Sequence, residues 1–88
     1  MLNPMRAAVE ISLYPLVADY RTRIRSFIDR IKEDPSLIVT TNALSTQLWG
    51  ELDHLMQVLT REIGASAAEG PQLVFVLKVL PGVAPPRA

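Results

Sequence analysis

Six polar or aromatic side chains on two short stretches carry most of the chemistry that this 88-residue sequence offers. In Val9-Glu10-Ile11-Ser12-Leu13-Tyr14 a carboxylate, a hydroxyl and a phenol alternate with aliphatic residues. In Leu44-Ser45-Thr46-Gln47-Leu48-Trp49 a hydroxyl, a primary amide and the sole tryptophan do the same. Successive side chains of a strand point to opposite faces, so each stretch, read as a strand, gathers its polar members on one face. Hydroxyls and the amide supply donors and acceptors, the carboxylate accepts from amines, and indole stacks on flat rings. That combination suits recognition of a small, flat, polar molecule. Taken alone it more often marks a half-solvated sheet face with one amphipathic aromatic at an oligomer contact, since ligand sites are few per protein.

Bond-making chemistry is poorly supplied. His54 is the sole histidine and there is no cysteine, so there is no thiol nucleophile, disulfide framework or thiolate metal site. A lone histidine makes a poor metal centre, and Ser12 and Ser45 have no histidine of matching strand parity to act as base. Neither a GxGxxG fingerprint nor a phosphate loop occurs. We therefore expect no enzyme, no catalytic residue, no metal and no cofactor. Glu10 and Lys78 fall where neighbouring strands would pair them as cross-strand opposite charges; Glu10 is otherwise an anchor for an amine-bearing ligand.

Composition narrows the partners. Lys plus Arg and Asp plus Glu number nine each, so no net charge steers the chain to nucleic acid or an anionic membrane. Hydrophobic residues reach 49% and charged residues only 20%, which for one small domain implies apolar surface covered by another subunit. The opening residues lack the pattern of a signal peptide and no apolar run is long enough to span a bilayer, so a cytoplasmic location is expected.

The elements that position these residues follow from periodicity. Residues 6–14 alternate as a strand that ends near Pro15. Asp19 is placed to cap a helix whose apolar stripe is Tyr20, Ile24, Phe27, Ile28 and Ile31, with its arginines on a solvated face. Asp34-Pro35 stops that helix. Residues 37–41 form a second strand, Asn42-Ala43 a tight turn, and residues 44–49 the third strand, ended by Gly50, which is also placed to cap a helix. That second helix places Glu51 and Asp53 in its first turn, has Leu52, Leu55, Met56, Leu59 and Ile63 as its stripe, and uses Gly64 as C-cap. Residues 73–80 make the fourth strand, and 82–88 a loose tail after a single-domain core of about 6–81. The order βαββαβ predicts an α+β, ferredoxin-like domain: a four-stranded antiparallel sheet, order 4-1-3-2, with two helices on one face. Its other face would then carry Glu10, Ser12, Tyr14, Ser45, Gln47, Trp49, Val74, Val76 and Lys78, an apolar-rich surface that a partner or ligand should cover.

The segments Val9-Glu10-Ile11-Ser12-Leu13-Tyr14-Pro15-Leu16, Thr41-Asn42-Ala43-Leu44-Ser45-Thr46-Gln47-Leu48-Trp49-Gly50-Glu51 and Val74-Phe75-Val76-Leu77-Lys78-Val79 together resemble the YkoF-type thiamine- and hydroxymethylpyrimidine-binding proteins and their single-domain relatives. The resemblance runs over about residues 8–79 and is most specific in the hairpin. It implies a ferredoxin-like, non-catalytic protein that self-associates through its sheets, as a dimer or tetramer, and binds thiamine or its pyrimidine precursor on the helix-free face near a subunit interface. The candidate ligand-binding set, chosen for side-chain chemistry, is Glu10, Ser12, Tyr14, Asn42, Ser45, Gln47 and Trp49; Thr46 joins it on the resemblance alone, its parity assigning it to the fold. The competing reading is a sheet-to-sheet oligomerisation or regulatory module without that ligand. An RNA-binding domain lacks the basic-aromatic signature, and an acylphosphatase-like enzyme lacks a basic loop after the first strand.

Overall fold

The computed structural model describes residues 5–15, 18, 20–42, 44–70 and 73–85. The expected capping residue Asp19 lies outside them. Alternation in the first stretch produces β1 (Arg6–Pro15), and helical spacing after it produces α1 (Tyr20–Lys32). They are followed by β2 (Ile38–Thr41), β3 (Thr46–Glu51), α2 (Leu52–Ala68) and β4 (Leu73–Pro81). The strands form one antiparallel sheet in the order β2-β3-β1-β4. Both helices pack on one face of it, giving the ferredoxin-like α+β architecture.

Register sets which residues meet the helices. Val9 pairs with Leu48 of β3 and Val79 of β4, and Ile11 with Thr46 and Leu77. These positions share a face with Ala7, and Val9, Ile11 and Leu48 are buried with Phe27, Ile31, Leu37, Leu55, Val58 and Leu59. Phe27 and Phe75 are tilted against each other with centroids 5.3 Å apart, a favoured aromatic geometry. Gly50 lies on this face too. An added Cβ would fall 2.6 Å from Leu37 Cδ2 and within 3.6 Å of Leu55. Gly50→Ala is therefore expected to cost about 1–2 kcal/mol through overpacking, read from the urea midpoint; an unchanged midpoint would mean that Leu37 yields freely.

Several local expectations are corrected. Gly64 does not end α2, which continues to Ala68 with Glu69 as C-cap. The small residues after it are good enough helix formers, and Ser66 turns inward where α1 can bond it. The N-cap is Glu51 rather than Gly50: its carboxylate accepts from His54 N at 2.7 Å. Val58 is buried where Met56 was expected, and Met56 is exposed, because the buried stripe advances through Leu55, Val58, Leu59, Glu62 and Ser66. Leu44 does not extend β3. It sits on the hairpin loop, almost fully exposed, since four residues separate Thr41 from its partner Thr46. That turn is built by Asn42, whose Oδ1 accepts from Leu44 N and Ser45 N at 2.8 and 3.0 Å.

The arginines of α1 are not uniformly solvated. Arg23 is buried, and its Nη2 donates to the carbonyls of Ser66 and Gly70 at 2.8 and 2.9 Å, satisfying the open end of α2. Arg30 donates to Glu62 Oε1 (2.6 Å), Ser26 Oγ (2.7 Å), Glu69 Oε2 (2.8 Å) and Ser66 Oγ (2.7 Å). Burial pushes the Glu62 carboxyl up, but hydrogen bonds from Arg61 and Arg30 outweigh it, so its pKa lies below the ordinary value.

Asp34 ends α1 as expected and does a second job. Its Oδ1 accepts from Ser36 N and Oγ at 2.9 and 2.7 Å, and its Oδ2 lies 2.6 Å from His54 Nε2, which donates. The Ser36 hydroxyl chiefly, against some desolvation and together with His54, lowers the Asp34 pKa to about 2. A depressed carboxyl stabilises the fold above its unfolded pKa and ceases to do so as pH falls through the folded one. Asp34→Asn should thus lose on the order of 1 kcal/mol at pH 7, and the difference from wild type should close between about pH 4 and pH 2. Chemical denaturation across that range checks it, and a pH-independent difference would exclude the electrostatic origin.

Candidate functional site

The helix-free face is assembled from alternate residues of all four strands. β1 contributes Ala8, Glu10, Ser12 and Tyr14; β3 contributes Gln47 and Trp49; β4 contributes Val74, Val76, Lys78 and Leu80; β2 contributes Ile38 and Thr40. Tyr14, Ile38, Val74, Val76 and Leu80 are all exposed large side chains, so this face is wet yet apolar. At its centre Glu10 stands between Gln47 on one side and Lys78 on the other.

A hydrogen-bonded row crosses the sheet there. Gln47 Nε2 donates to Ser45 Oγ at 2.7 Å, and Ser45 Oγ donates to Glu10 Oε2 at 3.1 Å. Lys78 Nζ lies 3.5 Å from Glu10 Oε1. Lys78 is well exposed, and such an ion pair contributes at most about 1 kcal/mol, so an incoming cation can replace the ammonium at little cost. The row leaves the Gln47 carbonyl oxygen as an acceptor on one side of the Glu10 carboxylate, with the Lys78 ammonium on the other. Next to it Trp49 stands half-buried across from Ala8 of β1 and Ile38 of β2. The small alanine leaves one flank of the indole without a bulky neighbour from β1.

The eight residues singled out in the sequence divide into two sets. Glu10, Ser12, Tyr14, Ser45, Gln47 and Trp49 belong to the open face or its rim. Asn42 and Thr46 do not. Asn42 spends its side-chain oxygen on the turn, and Thr46 is buried on the helix side, 3.2 Å from Thr41 Oγ1. Ser12, Asn42, Ser45 and Thr46 also border a recess of about 130 Å³ at the hairpin end of the sheet, floored by Ile24 and Ile28. That is close to the room that holds a single benzene-sized ring. Ile24 and Ile28 belong to the apolar stripe of α1. Nothing in their local pattern marks them as recess-lining, because they come from α1, far along the chain from the hairpin.

Among the described residues, no group of three or more His, Asp or Glu side chains is placed to hold a metal ion. Nor is any helix among them long and apolar enough to cross a membrane.

The profile of the YKOF-related family matches residues 6–79. The chain belongs to this family. No curated protein matches the sequence. Solved structures of similar fold include a Streptococcus pneumoniae protein with a TM-score of 0.79 at 23% identity, covering 85% of this chain and 84% of that one. A hypothetical protein of Methanocaldococcus jannascii gives 0.73 at 26% identity, over 84% and 77%. A Thermotoga maritima protein, described as a candidate thiamine biosynthesis or salvage protein, gives 0.76 at 19% identity, over 85% and 82%. The YKOF-related match begins where β1 begins and ends within β4, so it spans both polar strands of the open face.

Proposed function

We propose that this YKOF-related chain is a non-catalytic binding protein for thiamine or its hydroxymethylpyrimidine precursor, held on the helix-free sheet face beside β3. The observation that carries this reading is the row Gln47–Ser45–Glu10 flanked by the half-buried indole of Trp49. An aminopyrimidine is flat and aromatic, with ring nitrogens that accept and an exocyclic amine that donates. Glu10 accepts from the amine, Gln47 bonds the ring edge and Trp49 stacks. For thiamine itself the Glu10 carboxylate also balances the thiazolium charge in place of Lys78. Family membership and the description of the Thermotoga maritima relative support the same ligand class.

The face is open in a single protomer, whereas small-molecule sites cover most of their ligand. A second copy laid on the same face supplies that cover, and the exposed Val74, Val76 and Leu80 give it apolar surface to bury. Calorimetric titration with thiamine and with hydroxymethylpyrimidine tests the reading. Binding should weaken roughly 5- to 100-fold in Trp49→Ala and in Gln47→Ala, the cost of a lost aromatic stack or of an unpaired buried group, with the oligomeric state unchanged. Absence of wild-type binding at millimolar ligand would favour the second reading, a sheet-to-sheet oligomerisation module, for which the exposed aliphatic residues of the same face are the specific support.

A further inference from the structure

The α1 arginines fall into two stripes, and the stripe that does not serve the helix pair lines a groove. At 3.6 residues per turn, Arg23 and Arg30 lie on one side of α1, where they bond α2. Arg21, Arg25, Ile28 and Lys32 lie on the opposite side, with Ile24 next to them. That side overhangs the edge of the sheet, because β2 is only four residues long and cannot cover it. Ile24 and Ile28 are consequently half-buried rather than buried.

The result is a concavity of about 350 Å³ between α1 and β2, lined by Arg21, Ile24, Arg25, Ile28, Asp29, Lys32 and Thr41. Its volume falls within the span of about 300–1,000 Å³ typical of small-ligand sites. Its floor is aliphatic. Arg25 and Lys32 outnumber the Asp29 carboxylate on its rim, with Arg21 beside them, although the whole chain carries no net charge. Ile24, Ile28 and Thr41 also border the ring-sized recess at the hairpin, so the groove runs on into it.

The geometry points to a second binding site here, for a small organic phosphate monoester with a flat apolar body. The phosphate sits between Arg25 and Lys32, and the body lies along Ile24 and Ile28 towards the Thr41 hydroxyl. Guanidinium groups fork onto phosphate oxygens in a way that a single ammonium cannot, which selects phosphate over smaller anions. An aliphatic floor adds affinity only to a ligand that has a body to cover it. This site shares no rim cation with the sheet face, and it does not depend on thiamine binding there.

Amide NMR titration of the full chain with phenyl phosphate is the test, with inorganic phosphate and phenol as separate arms. Phenyl phosphate should shift the amides of α1 and Thr41 saturably, binding at least about tenfold tighter than either part alone. The surface double variant Arg25→Gln/Lys32→Gln should keep the wild-type spectrum yet bind phenyl phosphate roughly tenfold or more weakly. Saturable shifts confined to other parts of the chain, or none, would overturn the site. So would an unaltered affinity in the double variant, and equal binding of inorganic phosphate would overturn the role of the aliphatic floor.

Discussion

Arg30→Ala should lose about 2–4 kcal/mol of folding stability, a large share of what a domain of this size possesses. Arg30 is the donor hub of the layer between the helices, reaching Glu62, Glu69, Ser26 and Ser66 at once. The Glu62 side chain is only 8% exposed, and after truncation the ion-pair partner left to it among the described residues is Arg61, itself mostly in solvent. A carboxylate left desolvated and half-satisfied costs far more than the intact pair ever contributed. The same reasoning requires that removing both partners be milder: Arg30→Met combined with Glu62→Leu should recover most of the loss. Urea denaturation of the three variants measures this. A single-variant loss below about 1 kcal/mol, or a double variant worse than Arg30→Ala, would show that the network is a solvated surface feature.

Val76→Glu is expected to dissociate the proposed sheet-to-sheet assembly while leaving the protomer folded. Val76 lies on the helix-free face of β4, across from Ser12, and is 44% exposed, so a carboxylate there is tolerated by a single protomer. Pressed against a second sheet, that carboxylate is buried without a partner at a cost of several kcal/mol, enough to weaken association by a hundredfold or more. Light scattering across a concentration series reads the result, with circular dichroism confirming the fold. Wild-type protein that stays monomeric at high concentration would remove the assembly, and with it the cover that the proposed ligand site needs. A variant that stays associated would place the contact on another surface.

Much of the fold was legible from period alone. Alternation in residues 6–14 and helical spacing in Ile24, Phe27, Ile28 and Ile31 each satisfy one geometry and not the other. Six such segments in this order leave few ways to bury every stripe, and parity places Glu10 with Ser12, and Gln47 with Trp49, opposite the apolar side chains of their strands. What local pattern misjudged were helix ends and polar residues on helices. Gly64 reads as a terminator, but α2 runs four residues further to Ala68. Glu62 and Ser66 lie off the expected apolar stripe, yet both are buried, and Arg30, which bonds both, comes from α1, more than thirty residues away in sequence.

The open face divides in the same way. The sequence determined that a carboxylate, two hydroxyls, an amide, a phenol and an indole share one side of a sheet, because side-chain direction in a strand is a local property. Only the tertiary structure decided that Ser45 bonds Glu10, that the Asn42 side-chain oxygen is spent on its turn, and that Thr46 faces the helices. It alone set Arg21, Arg25 and Lys32 beside an aliphatic groove while turning Arg23 and Arg30 inward. Those outcomes depend on register between strands and on where α1 lies against a short edge strand. Both are set by the packing of the whole core, and no stretch of sequence carries them by itself.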